Sequence, residues 1–167
     1  MSAKHSEDFF IRVLFNKIKI EEVMKTPPVT IYEMEDLSVA EQKFVEHSIS
    51  HLIVINKEGK LRGLVSPKYL YKTHAPKKCV KGEILQPRTI VDGDSFYHKD
   101  ALDKYFLVNV MFATPFTLGP EDSFGNAILT MAKRNISCIP IIDKSNTLLG
   151  VLTNQEIVNY ITNVLTE

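Results

Sequence analysis

Apolar positions along the chain fall into two matching series. After Asp36 and again after Ser123, apolar residues recur at helical spacing: Leu37, Ala40 and Phe44 in the first stretch, Phe124, Ala127 and Met131 in the second. That i, i+3, i+7 pattern predicts two helices, each with one face in a core. Asp36 and Ser123 stand one residue ahead, where a side-chain oxygen can accept from the free N–H groups of a first turn. Two runs of mostly branched residues follow, Leu52-Ile53-Val54-Ile55 and Ile139-Pro140-Ile141-Ile142. They are too short and too uniformly apolar for surface helices, and predict buried strands. Each run meets a polar turn, at 57–60 and 144–147, and then a second apolar strand, Leu61 to Val65 and Leu148 to Leu152. Both are expected to be hairpins. Ser66-Pro67, with proline at the first helical position, and Thr153-Asn154 then open a further helix in each series.

The two series are copies. A shift of 87 residues carries Val23 to Tyr71 onto Val110 to Val158 without a gap, with identities at Val23/Val110, Met24/Met111, Pro28/Pro115, Ala40/Ala127, Ile49/Ile136, Ser50/Ser137 and Gly63/Gly150. An internal duplication of this kind is one structural unit used twice, and units this small are expected to pack on one another. The expected fold class is therefore α+β: two β-α-β-β-α repeats packed with pseudo-two-fold symmetry. Residues 1–19 read as an N-terminal helical extension, 20–72 as the first repeat, 73–107 as the inter-repeat connection and 108–167 as the second repeat. In the extension, Phe10, Leu14 and Ile18 form a helical stripe with Phe9 and Val13 beside it. A helix packed on the repeats or at a dimer contact explains this stripe better than a membrane-surface helix does. The connection from Thr73 to Asp100 is long for a compact domain and reads either as an ordered excursion or as a mobile loop.

Composition narrows the functional classes. Twenty basic and twenty acidic residues leave no net charge, so no general field draws the chain to nucleic acid or to an anionic membrane. Only Cys79 and Cys138 are present, without metal-binding spacing, which together with a polar N-terminus and no apolar run of spanning length points to a cytoplasmic protein. His47 and His51 are four apart, but the helix is expected to end near Ser48, which spoils a shared metal face. Asp92, Asp94, His98 and Asp100 lack the glycine and closing glutamate of a calcium loop and read as a solvated loop. No catalytic triad, phosphate-cradling glycine loop or paired-carboxylate cleft is evident, so no enzyme, no metal and no required cofactor are expected.

Several elements occur in both copies and in the same order. A Val-Met pair precedes a Pro-x-Thr segment, at Val23-Met24 to Thr30 and Val110-Met111 to Thr117. Ile-Ser precedes the first hairpin strand, at Ile49-Ser50 and Ile136-Ser137. A Gly-hydrophobic-hydrophobic-Ser/Thr turn closes each hairpin, at Gly63 to Ser66 and Gly150 to Thr153. In these features the chain resembles the CBS-domain family, named after cystathionine β-synthase, as a stand-alone tandem pair covering most of residues 20 to 165. The resemblance implies a homodimer and clefts between the copies that hold an adenine nucleotide: AMP, ADP, ATP or S-adenosylmethionine. The helix faces bearing Leu37, Phe44, Phe124 and Met131, taken as more than a two-repeat core can cover, point to the same dimer. The function so implied is a regulatory module that signals to an unknown partner protein. The alternative is a ligand-free dimeric interaction module with vestigial clefts.

The family turn continues to an Asp three residues after the hydroxyl. A hydroxyl and free N–H groups at a helix start suit phosphate, and the carboxylate can accept both ribose hydroxyls. Carried over, the ligand-binding residues are Thr153 and Glu156 from the second repeat with Ile49, Ser50 and His51 from the first. Glu156 departs from the family Asp by one methylene. A charge-assisted hydrogen bond is worth about 1.5–3 kcal/mol, so misplacing two weakens binding by a factor of about ten to several hundred. Glu156 also has a plainer role, as a favourable charge at the positive end of a helix dipole. A second, degenerate cleft would use Ser66 and Tyr69 with Ile136, Ser137 and Cys138, Tyr69 standing where the ribose acid belongs. His51 would face phosphate and strengthen binding at lower pH, although a surface histidine without such a role is commoner.

Overall fold

Both amphipathic stretches form eleven-residue helices, α2 (Leu37–His47) and α4 (Phe124–Arg134), in the computed structural model of the chain, which describes residues 12–71, 77–78, 89–92, 95–98 and 106–166. Ser123 caps α4 through its side chain, accepting from Asn126 N at 3.3 Å, whereas Asp36 occupies the same position at α2 without a side-chain cap bond. Each helix stops at a left-handed residue, Ser48 (φ 51°) and Asn135 (φ 53°), and the next N–H returns to the helix: Ile49 N to Phe44 O at 3.3 Å, Ile136 N to Met131 O at 3.0 Å. This satisfies carbonyls the last turn would otherwise leave unpaired, and it turns each Ile-Ser pair toward the strand that follows.

Three strands, β1 (Thr30–Tyr32), β2 (Leu52–Ile55) and β3 (Leu61–Val65), lie in the order β1-β2-β3, with β1 parallel to β2. A short helix, α3 (Pro67–Tyr71), follows with proline at its first position. In the second copy β7 (Cys138–Ile142) and β8 (Leu148–Thr153) form the antiparallel hairpin, from Cys138↔Thr153 to Ile142↔Leu148, and α5 (Asn154–Thr166) follows. The counterpart of β1 is reduced there to one parallel bridge, Leu118↔Ile141. Within the connection, β4 (Lys77–Lys78), β5 (Thr89–Asp92) and β6 (Ser95–His98) make an antiparallel sheet in the order β4-β6-β5. The acidic stretch expected to be a solvated loop is thus partly a hairpin, Asp92 pairing with Ser95 and Thr89 with His98. Asp94 and Asp100 lie outside the described residues.

The chain divides into two units. One comprises the chain up to Pro28, Gly59–Leu61 and the chain from Pro115; the other comprises Val29–Glu58 and Arg62–Thr114. Each therefore combines the body of one repeat with the opening segment of the other. In the α4 unit a 3₁₀ turn, Ile20–Glu22, buries Ile20 and Val23 beside Phe124, Ala127, Met131, Ile139, Ile141 and Leu152. In the α2 unit the corresponding turn, Leu107–Asn109, buries Leu107 beside Ile31, Leu37, Ala40, Phe44, Leu52, Val54, Val65 and Leu70. The backbone bonds match pair for pair: Ile20 N to Asp122 O and Leu107 N to Glu35 O, each 3.0 Å; Lys25 bridged to Val151 and Phe112 bridged to Leu64.

Leu37, Phe44, Phe124 and Met131 are all buried in their own units. They are not surplus outer faces, because hairpin, opening segment and helix together cover them. Burying a side chain such as Phe124 stabilises its unit by roughly 1.5–3 kcal/mol. Residues 12–17 form the helix α1, and it too differs from the expected stripe. Phe15 stacks on Phe124 at 5.7 Å and packs with Ile18 on the core, which leaves Leu14 47% exposed. Phe9 and Phe10 lie outside the described residues. Among those described, no helix is long and apolar enough to cross a membrane.

Candidate functional site

At the head of α5, β8 delivers Thr153 directly into the helix, and the side chains there close on one another. Glu156 Oε2 accepts from Thr153 N at 3.1 Å and from the Thr153 hydroxyl, while Gln155 N donates to Thr153 Oγ1 at 3.2 Å. Thr153 is thus the N-cap, its hydroxyl oxygen accepting from the second helical residue, while the carboxylate of Glu156, the third, accepts from the N-cap N–H as in a capping box. Asn154 N donates to Ser137 O at 3.2 Å, which ties the helix start to the Ile136-Ser137 segment. The same position in the first repeat is Pro67, which has no N–H, so this bond has no counterpart there.

Cys138 pairs with Thr153 across the hairpin and is buried. Burial, with the Glu156 charge as a second cause, pushes its thiol up to about 12, so it is a neutral, unreactive side chain. In the α2 unit, Ile49 packs on the edge of the core and Ser50 is exposed, its hydroxyl 3.0 Å from His51 Nδ1. His51 is half-buried, and that burial holds its pKa below the ordinary 6.5. Ser66 is half-buried just ahead of α3. The Tyr69 side chain lies outside the described part of the structure.

Of the expected ligand-binding residues, Thr153 and Glu156 are in direct contact in the α4 unit, with Ile136, Ser137 and Cys138 alongside. Ile49, Ser50 and His51 adjoin in sequence and belong to the α2 unit, as does Ser66. What sequence reading missed is that Glu156 has a partner of its own. The signal was present, since Thr153-x-x-Glu156 has the Ser/Thr-x-x-Glu spacing of a capping box.

A model of the CBS domain matches residues 20–73 and 107–163. The chain is 27% identical to an uncharacterized protein of Methanocaldococcus jannaschii, over 89% of this chain and 98% of that one. It is 23% identical to the homoserine O-acetyltransferase of Methanococcus vannielii over 86% of this chain, but spans only 25% of that enzyme. Its fold is similar to a solved CBS domain pair in complex with 5′-methylthioadenosine and S-adenosyl-L-methionine, with a TM-score of 0.65, 18% identity, and coverage of 87% of this chain and 97% of the other. With both repeats matched over most of their length, the chain belongs to the CBS-domain family.

Proposed function

We propose that the chain is a cytoplasmic, non-catalytic regulatory module that binds an adenine nucleotide or S-adenosylmethionine and signals to a partner protein. The proposed ligand-binding residues are Thr153 and Glu156 of the second repeat and Ile49, Ser50 and His51 of the first. The observation that carries this reading is the head of α5, where a hydroxyl and a carboxylate stand together beside Ser137 and Cys138. The ligands named for the similar CBS pair, both adenosine compounds, support the same class. Ser66 and Tyr69 belong to a degenerate second cleft.

A melting panel with AMP, ADP, ATP and S-adenosylmethionine tests the proposal. A ligand that binds the folded chain at a hundredfold excess over Kd adds about 2.7 kcal/mol, a shift readily seen in Tm. At least one of the four is expected to produce it, and Glu156→Ala is expected to erase it. If millimolar ligand leaves the melt unmoved in both the native chain and Glu156→Asp, binding is ruled out. The second reading, a ligand-free dimeric interaction module, then takes its place. What favours that reading is the capping box, which already satisfies the Glu156 carboxylate from within the chain.

A further inference from the structure

Around their 3₁₀ turns the two units share one backbone frame and clothe it with different side chains. In the α4 unit Lys19 is bridged to Ser123, Ile20 N donates to Asp122 O and Glu21 N to Pro120 O, both at 3.0 Å. In the α2 unit Phe106 is bridged to Asp36, Leu107 N donates to Glu35 O and Val108 N to Glu33 O, again at 3.0 Å. Ile20 and Leu107 are buried, and the residues on either side of each are exposed. In the α4 unit those outward positions carry charge: Lys19 forms ion pairs with Glu121 and, at 3.8 Å, with Glu21. Under the 87-residue shift, Lys19, Glu21 and Glu121 become Phe106, Val108 and Met34, and Gly119 becomes Tyr32. All four of these apolar side chains are between 38% and 60% exposed. Since one unit folds with ion pairs on this frame, the frame itself does not require apolar residues there. Exposed apolar surface that the fold does not need marks an interaction face.

Carboxylates set among these residues decide what the face accepts. Asp36, bridged to Phe106, makes no side-chain cap bond to α2, whereas Ser123 at the matching position accepts from Asn126 N at 3.3 Å. Glu35 lies next to it, and Glu33, one residue before Met34, accepts from Arg62 Nε at 2.7 Å. We propose that Tyr32, Met34, Phe106 and Val108 form a docking surface for a segment of a partner protein that presents apolar side chains together with lysine or arginine, the cation meeting Glu35 and Asp36. Apolar contacts supply the affinity of such a face, and the carboxylates at its rim select the sign of charge. The inference rests on the chain acting through a partner protein, which both readings of its function require, and not on its binding an adenosine compound.

Fluorescence anisotropy of the full chain with short labelled peptides tests it: one of alternating leucine and lysine, one of leucine and glutamate, one of serine and lysine. The leucine-lysine peptide is expected to bind at least tenfold more tightly than either of the others. The double variant Met34→Glu, Phe106→Lys copies the Lys19–Glu121 pair of the α4 unit, so it is expected to keep the native melt while weakening binding at least tenfold. The pair Glu35→Gln, Asp36→Asn leaves a good N-cap at α2 and is expected to weaken binding at least threefold. Leu165→Glu, on the exposed side of α5, is expected to leave binding unchanged. Equal binding of the leucine-glutamate peptide overturns the charge selection. Binding that survives Met34→Glu, Phe106→Lys, or that is lost in Leu165→Glu, overturns the placement. If Met34→Glu, Phe106→Lys instead lowers the mass of the native chain in light scattering, the occupant is a second copy and the proposed partner is overturned. Failure of the leucine-lysine peptide to bind the native chain overturns the docking surface, while the melting panel reads the adenosine proposal separately.

Discussion

His51 and Cys138 correspond across the duplication, and burial acts on them with opposite sign. Taking either group out of water disfavours its charged form, so the histidine pKa falls below 6.5 and the thiol rises to about 12. Both are thereby kept neutral near pH 7. For His51 the unfolded chain binds the proton more readily than the folded one. Stability is therefore complete above the unfolded value near 6.5 and declines as the pH falls from there toward the folded value. His51→Gln removes this contribution. The drop in urea midpoint between pH 7.5 and pH 5.5 is expected to be smaller in the variant than in the native chain, and an equal drop would show that His51 does not sense acid. Asp143 does not confuse the measurement. Hydrogen bonds from the Thr147 backbone and the Ser145 side chain lower its pKa from 3.8, so its contribution is lost only at more acidic pH. At this scale the sequence was half legible. The spacing of Thr153 and Glu156 was visible, but no local pattern distinguishes a carboxylate that waits for ribose from one that caps its own helix.

The strand elements explain the glycines the two repeats share. Gly63 in β3 and Gly150 in β8 lie where the exchanged opening segments cross the hairpins. A Cβ built at Gly63 would lie 2.6 Å from Phe112 O, and one at Gly150 would lie 2.6 Å from Met24 Sδ and 3.0 Å from Lys25 O. The Phe112 oxygen is fixed, since it accepts from Leu64 N at 3.1 Å while Phe112 N donates to Leu64 O at 2.8 Å. The Met24 side chain can swing aside. Gly63→Ala should therefore cost about 1–3 kcal/mol, as overpacking does, and Gly150→Ala less. Denaturant melts of the two variants check the order, and equal or reversed costs would contradict it. Helices and hairpins were legible because each carries its own period and turn residues. The exchange of Ile20–Pro28 and Leu107–Thr114 was not, because a Val-Met segment reads the same whichever copy it packs against. The 3₁₀ turns were missed although the duplication continues upstream to Ile20 and Leu107.

At the scale of the whole molecule, apolar periodicity shows that a helix has a core face but not which helix lacks a cover. The expected surplus on α2 and α4, at Leu37, Phe44, Phe124 and Met131, is buried, and among the described residues α5 carries an exposed apolar stripe. Ile157 and Tyr160 pack on the core of the α4 unit, Tyr160 edge-on to Phe124 at 5.3 Å. Val158, Ile161 and Leu165, three and four residues apart, are 56%, 37% and 79% exposed, with Val164 beside them at 57%. No Lys, Arg, Asp or Glu stands among residues 157–166 to keep that stripe in water, and contiguous apolar surface of this kind marks an interaction face. The homodimer expected from the sequence predicts that two copies meet along this stripe, because a stripe along one helix meets its own like under two-fold symmetry, each residue contacting its partners on the other copy. Light scattering at micromolar concentration should give twice the chain mass of 19.0 kDa. The double variant Ile161→Glu, Leu165→Glu should return the single mass without loss of the folded circular dichroism spectrum, since neither side chain contributes to a core. A native chain that scatters as 19.0 kDa would dismiss the dimer. A dimer that survives the double variant would place its interface on another face.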